Sequence, residues 1–452
     1  MTDIAGPPHP YPSVPHRLRW SAATAAFQIE GARAADGRGR SIWDDFVDTP
    51  GSVLDASTAE PGPDSYHCSS DDVALLQQLG VDRYRFSISW VRVQPDGRGA
   101  ASPAGLAYYD RLVDELLAAG VTPFPTLYHW DLPVSLEAEG GWLARESAER
   151  FAEYTAIVAS ALGDRVRHWY TINEPVSTSL QGYAIGELAP GRQLLFDSLP
   201  SVHHQLLAHG RAVSILHEHG AASVGIANNH TWVRPASDSD ADREAAYLYD
   251  LIHNRLFADP VLTGAYPDLA ALGVELPVHE ADMEAIATAS DFYGVNFYNP
   301  TTIAAAPEGA PVPFVQVPTP GAEHTGFGEL WPIRPSALTD FLIDAKARYA
   351  NLPAIIISEN GASFPEPDRV DAAIDDRERI AYLHGHIGAV ADAVREGVRV
   401  DEYTVWSLLD NFEWADGFTQ RFGLVHVDQE SSERTPKASF EWYRRLIAST
   451  RS

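Results

Sequence analysis

The chain is predicted to fold as a single-domain α/β protein: a (β/α)8 TIM barrel whose long βα loops form the mouth of an active site. Three observations carry this prediction. Apolar, β-branched runs alternate with helix-patterned segments from end to end, which calls for a parallel sheet. There are eight such pairs, the number that closes a barrel. No Pro/Ser-rich linker interrupts them, and 452 residues is a length one α/β barrel with insertions can reach.

The elements follow in order. Residues 19–27 read as strand one, and 70–79 as a helix with Ser70 as N-cap and Gly80 just past its end. Strand two is 82–88; the helix 103–119 is stopped by Gly120. Strand three is 121–129, followed by a helix over 144–162 stopped by Gly163. Strand four is 167–174, and the helix 203–219 ends at Gly220. Strand five is 223–229, and Ser239 caps a helix over 239–257. Strand six is 291–298, then a helix over 336–349. Strand seven is 353–359, then a helix over 375–395 stopped by Gly397. Strand eight is 400–408, and a helix over 437–447 closes the chain. The Pro/Gly-rich stretch 306–328 is too irregular for a core element and is expected to be a long loop or lid over the mouth. Segment 1–17 is expected to be flexible, with the barrel domain over 18–452.

Composition excludes several classes. The chain has 62 acidic against 33 basic residues, a formal charge of −29. Nucleic acids and anionic membranes need clustered Lys and Arg, so neither is an expected partner. A neutral or cationic ligand fits, as does a solvated acidic surface. Cys68 has no second cysteine, so no intrachain disulfide or cysteine metal motif is expected, and Cys68 reads as incidental. Residues 1–15 lack an apolar leader and no run approaches 18 apolar residues, so a cytoplasmic protein without membrane spans is expected.

Catalytic groups of a barrel belong at the C-terminal ends of its strands. Gln28 and Glu30 follow strand one, Arg85 lies in strand two, and His129 and Trp130 follow strand three. Asn173 and Glu174 end strand four, Asn296 and Tyr298 strand six, and Glu359 strand seven. Trp406 lies in strand eight, with Glu413 and Trp414 beyond it. Polar and aromatic groups thus gather at one face.

Two of them are carboxyl groups closing buried runs, Trp169-Tyr170-Thr171-Ile172-Asn173-Glu174 and Ala354-Ile355-Ile356-Ile357-Ser358-Glu359. Such a carboxylate is costly unless paired or used. Glycoside hydrolysis uses two: one protonates the leaving oxygen, the other attacks or activates water. The acid needs a raised pKa, from apolar surroundings or a nearby anion. The nucleophile must be ionised, and Arg85 is the cation to favour that; its plain alternative is a structural ion pair. Gln28, His129, Asn173 and Glu413 suit sugar hydroxyls, and Trp406 and Trp414 suit a sugar's CH face. Each has a bland reading too: His129 as a satisfied core histidine, Trp414 as a core aromatic, Asn173 as a helix cap. Two-carboxylate hydrolysis needs only water, so no metal and no organic cofactor is expected.

The motifs together resemble family 1 of the glycoside hydrolases, the β-glucosidase-type retaining barrels. The resemblance spans about residues 20–447. It rests on Phe27-Gln28-Ile29-Glu30-Gly31, Tyr84-Arg85-Phe86-Ser87-Ile88-Ser89-Trp90, Leu127-Tyr128-His129-Trp130-Asp131-Leu132-Pro133, Thr171-Ile172-Asn173-Glu174-Pro175, Asn296-Phe297-Tyr298, Ser358-Glu359-Asn360-Gly361 and Asp410-Asn411-Phe412-Glu413-Trp414. It implies Glu174 as acid/base and Glu359 as nucleophile, held by Arg85, Tyr298 and Asn296. It implies Gln28, His129, Trp130, Asn173, Trp406, Glu413, Trp414 and Phe422 as the sugar-binding set, with Trp331 on the aglycone side. Glu413 argues for an unphosphorylated hexose, because its charge would repel a 6-phosphate. Departures lie on the leaving-group side: Val176 where many relatives have Trp, Leu188 for a common His, and unusual Gln181 and Glu329-Leu330.

The expected activity is therefore retaining hydrolysis of terminal β-D-glucosyl residues, with tolerance of β-fucosyl or β-galactosyl sugars. The alternative is a glycosidase or transglycosylase specialised for a bulky natural-product aglycone. Expected partners are small β-glycosides or oligosaccharides; self-association into a homo-oligomer is left open.

Overall fold

The computed structural model describes residues 11–14, 17–367 and 374–451. Eight parallel strands close a barrel: β1 (Arg19–Ala23), β2 (Arg83–Ser87), β3 (Thr122–Tyr128), β4 (His168–Asn173), β5 (Ser223–His230), β6 (Phe292–Phe297), β7 (Ala354–Asn360) and β8 (Val400–Trp406). Neighbours in the barrel are neighbours in sequence, and β1 pairs with β8 to close it, Ala23 facing Trp406. The helices packed around it are α1 (Ser65–Leu79), α2 (Pro103–Ala118), α3 (Glu146–Leu162), α4 (Pro200–Glu218), α5 (Asp240–Asp250), α6 (Ser336–Arg348), α7 (Arg377–Arg395) and α8 (Ala438–Thr450).

Local sequence explains much of this. Strand β7 is buried at every residue, because one face meets the barrel interior and the other the helices. In α2, Pro103 starts the helix, the Ser102 hydroxyl accepts from the Gly105 N–H, and Leu112, Val113 and Leu116 form the buried stripe. Ser239 caps α5 as expected, accepting from the Asp242 N–H.

Several boundaries differ from expectation. Strand one stops at Ala23, and Gln28 lies in a short helix, Ala26–Ile29, that sequence periodicity does not reveal. Helix α1 begins at Ser65, five residues before the expected cap; Ser70 lies inside it. Helix α5 runs on through a π-helical turn, Leu251–Arg255, into Leu256–Thr263. The stretch 306–328 is not all loop: Phe314–Val317 pairs antiparallel with Thr301–Ala305, which pairs with Val233–Pro235 beside the barrel mouth. Glu30 is no part of the mouth; it accepts from Arg92 (2.6 Å) and the Tyr109 hydroxyl (2.7 Å). The expected segment 1–17, apart from 11–14 and Arg17, lies outside the described residues. Among the described residues, no helix is long and apolar enough to cross a membrane.

Inside the barrel, Phe124, Tyr170, Ala227, Phe292 and Ile356 form an apolar layer. Below it Arg83 pairs with Glu402 (2.8 Å), and above it the Arg85 guanidinium lies 4.6 Å over the Tyr170 ring. Outside the mouth, Glu366, Asp410 and His426 approach one another closely enough to suggest a cation site. The Lys437 ammonium fills that role, 2.6 Å from Glu366 and 2.8 Å from Asp410, with no exposed side-chain surface. Lys437→Met should therefore leave the buried Asp410 carboxylate without its ammonium partner, while Glu366 keeps its pairing with Arg379, and cost about 3–5 kcal/mol. A urea midpoint unchanged by the substitution would contradict this.

Candidate active site

Two strand ends aim two carboxyl groups into one cavity. At β4 the pairing with β5 shifts register between Tyr170 and Asn173. Glu174 follows in the left-handed region, φ 46°, its N–H donating to the Ala227 carbonyl (2.8 Å). At β7 the pairing with β6 shifts between Ile357 and Glu359. Such irregularities re-aim side chains at barrel rims. Trp130 and Trp414 also have positive φ, at 80° and 53°, and both line the cavity. Strained non-glycine backbone of this kind persists only where its surroundings hold it.

A continuous hydrogen-bond path joins the two carboxyl groups. Arg85 Nη1 donates to Glu359 Oε1 (2.5 Å) and Arg85 Nη2 to Asn173 Oδ1 (2.6 Å). Asn296 Nδ2 donates both to Asn173 Oδ1 (3.0 Å) and to Glu174 Oε1 (2.6 Å). The Tyr298 hydroxyl donates to Glu359 Oε2 (2.6 Å), and the Ser358 hydroxyl to Asn296 Oδ1 (2.6 Å). Burial pushes Glu359 up to about 7, and the charge of Glu174 adds to this, while Arg85 and Tyr298 pull the other way. Desolvation at the barrel mouth is thus the dominant influence on Glu359.

The imidazole of His129 is held neutral, its pKa lowered well below the ordinary value by burial and by Arg85. Arg85 only donates, so the oxygen of Asn173 faces it and the amide nitrogen faces His129 Nε2, 3.1 Å away. Nε2 therefore accepts, and the ring proton sits on Nδ1. His129 stacks between Trp406 (5.8 Å, 19°) and Trp414 (5.9 Å, 18°) and lines the cavity, so it is no core histidine. Trp414 is both things expected of it: it packs on Trp43 (4.4 Å) and also faces the cavity.

Glu413 is half-buried, and desolvation, with Asp416, Glu359 and Glu174 nearby, pushes its pKa well above the carboxylate range. Gln28 Nε2 donates to Phe412 O (2.8 Å) and Asn411 Oδ1 (3.0 Å), and lies 3.4 Å from Glu413 Oε2. Its Oε1 is buried without a partner among the described residues, an acceptor left for a ligand hydroxyl or water. Trp130 Nε1 donates to Asn173 O (3.0 Å).

Of the residues singled out by sequence, His129, Trp130, Asn173, Glu174, Val176, Tyr298, Trp331, Glu359, Trp406, Glu413, Trp414 and Phe422 line one cavity of about 520 Å³. Gln28, Arg85 and Asn296 stand behind that wall and hold groups that form it. Sequence reasoning missed three groups around Glu174. Ser177 Oγ donates to Oε2 (2.7 Å), Asn229 Nδ2 donates to Oε1 (3.1 Å), and His253 Nε2 lies 3.4 Å from Asn229 Oδ1. Asn229 could have been found, because it falls at the C-terminal end of a strand. Ser177 and His253 lie in π-helical segments that leave no sequence signal.

The chain is similar to known proteins over nearly its whole length. A family model described as Glycosyl hydrolase family 1 matches residues 11–452. The chain is 40% identical over 439 residues to beta-glucosidase A of Thermotoga maritima, covering 96% of this chain and 97% of that one. It is 40% identical over 463 residues to a bifunctional beta-D-glucosidase/beta-D-fucosidase of Bifidobacterium breve, covering 96% and 98%. Its fold matches the crystal structure of a psychrophilic beta-glucosidase from Micrococcus antarcticus with a TM-score of 0.92 at 43% identity, covering 97% and 98%.

Proposed function

The chain belongs to glycosyl hydrolase family 1, and from that premise we propose that it is a retaining β-glucosidase with Glu359 as nucleophile and Glu174 as acid/base. The observation that carries the assignment is the path Glu359–Arg85–Asn173–Asn296–Glu174, which couples two buried carboxyl groups facing one cavity.

In the first step Glu359 attacks the anomeric carbon while Glu174 protonates the departing oxygen, giving a covalent glycosyl-enzyme. Glu174 then takes a proton from the water that cleaves this ester, and the sugar leaves with its configuration retained. Each carboxyl group has partners suited to its task. Among the described residues Glu359 meets donors at both oxygens, Arg85 at Oε1 and Tyr298 at Oε2, which favour its ionised form. Glu174 Oε1 faces two amide donors, so the transferable proton sits on Oε2. There the Ser177 hydroxyl can turn, accepting from the acid and donating to the carboxylate.

The glycone is an unphosphorylated hexose read by Gln28, His129, Asn173 and Glu413 and stacked on Trp406. β-Glucose is the principal sugar, and the Bifidobacterium relative supports tolerance of β-fucosides. The test is hydrolysis of an aryl β-D-glucoside followed by proton NMR. β-Glucose should appear first and mutarotate later. α-Glucose as first product, or no turnover, would overturn the proposal.

The pH profile offers a second check. Tyr298 donates to the ionised form of Glu359, so its hydroxyl lowers that pKa. Tyr298→Phe should raise it, and because kcat/KM needs the carboxylate, the acidic limb should move to higher pH by about one unit. An unmoved limb would remove Glu359 from that role.

A further inference from the structure

Beyond Glu174 the cavity changes character. One wall comes from the π-helical segment Ser177–Ile185, the loop after it and the short 3-10 helix Leu195–Ser198, through Leu180, Ile185, Leu188, Leu195 and Phe196. Phe314 and Trp331 line the cavity from the segment over the mouth. Ile185 and Leu195 are 45% and 40% exposed, so large apolar groups stand open to water at the rim of a cavity. Exposed apolar surface in that position marks binding.

Several polar side chains of this outer half are already engaged within the protein. Asn229 donates to Glu174 and lies against His253. Asn299 Nδ2 donates to Pro300 O, Gln316 Nε2 to Leu330 O, and Thr301 Oγ1 is bonded to Thr231 Oγ1 (2.7 Å). Gln181 and Glu187 are exposed at the rim. A second sugar seated here would bury several hydroxyls against few free partners, and each unpaired one costs roughly ten- to a hundredfold in affinity. An alkyl or aryl group needs no such partners and removes the apolar wall from water.

We propose that the outer half of this cavity is a site for an uncharged, apolar aglycone, aryl or hydrocarbon, in preference to a second glucosyl residue. The proposal rests on the hydrolytic reading of Glu174 and Glu359. It identifies the substrates as β-glucosides of hydrophobic alcohols or phenols; the acid at Glu187 and the chain's net charge of −29 disfavour anionic aglycones.

The test is kcat/KM for methyl, butyl, hexyl and octyl β-D-glucoside and for cellobiose, all below micelle-forming concentrations. The alcohols from butyl to octyl are nearly equal leaving groups, so the series reports aglycone binding rather than chemistry. We expect a rise of about twofold to fourfold per methylene up to hexyl, the upper figure being full burial of a CH2. Octyl glucoside should exceed cellobiose at least tenfold. The double substitution Leu188→Ser/Leu195→Ser, at half-buried and exposed positions, should lower octyl glucoside turnover about tenfold more than methyl glucoside turnover. A flat chain-length series with methyl glucoside cleaved, cellobiose matching octyl glucoside, or equal losses in the double variant would overturn the aglycone inference alone. No turnover of any glucoside would overturn the hydrolytic reading, and this inference with it.

Discussion

Glu359→Ala is expected to fold and to lose activity on an aryl β-D-glucoside by at least roughly ten-thousandfold. Without the carboxylate no bond forms to the anomeric carbon, and water is poorly placed on that face. The deletion also leaves the buried Arg85 guanidinium without its anionic partner, next to the Tyr298 hydroxyl. That loss costs up to about 3–5 kcal/mol of stability. Part of it is offset, because burial had already made the Glu359 charge unfavourable. Thermal melting by circular dichroism will show whether the variant is folded, and Glu359→Gln retains an acceptor for Arg85 should it not be. The vacated space, lined by a cation and a hydroxyl donor, suits a small anion. Azide should enter it and restore turnover, attacking from the nucleophile's side to give α-glucosyl azide. If the azide adduct is the β anomer, Glu359 is not the nucleophile.

Glu174→Ala should behave differently, and the difference depends on the leaving group. Alkyl glucosides, whose oxygen must be protonated as it departs, should lose about 10²- to 10⁴-fold. A 2,4-dinitrophenyl glucoside needs no such help, so its first step should survive while cleavage of the glycosyl-enzyme becomes slow. A burst of dinitrophenol followed by a low steady rate is the expected record. Azide should then speed the second step and give β-glucosyl azide. The neighbours left behind (Asn296, Asn229 and Ser177) are neutral, so stability should fall by only about 1–3 kcal/mol. Equal losses on both kinds of leaving group would contradict the acid/base assignment.

Parts of this were legible without coordinates. The alternation of eight apolar runs with helical patterns is a local property of the chain, set by hydrophobic period and by Gly and Pro stops, and it dictated the barrel. The barrel's rule about strand ends then pointed to Glu174, Glu359, Arg85 and the aromatic groups near them. Boundaries were less legible where neighbouring sequence suits two states. Residues 19–27 are mostly small or aromatic with no break residue among them, and tertiary packing, not period, ends β1 at Ala23 and turns Gln28 into a helix.

What only the tertiary structure decided is which groups share a proton, a charge or a wall. Arg85 meets Glu359 274 positions away and Asn173 88 positions away. Ser177 meets Glu174 because the chain turns helical at Pro175 and brings the two side chains together across one turn. Burial, rather than residue type, raised Glu359 and kept His129 neutral. The apolar outer wall likewise combines Leu188 and Leu195 with Phe314 and Trp331 from a distant part of the chain. Sequence by itself determined the elements and the chemical inventory, because those depend on neighbours along the chain. Closure of the barrel decided protonation, orientation and the character of the aglycone side, because electrostatics and desolvation act through space.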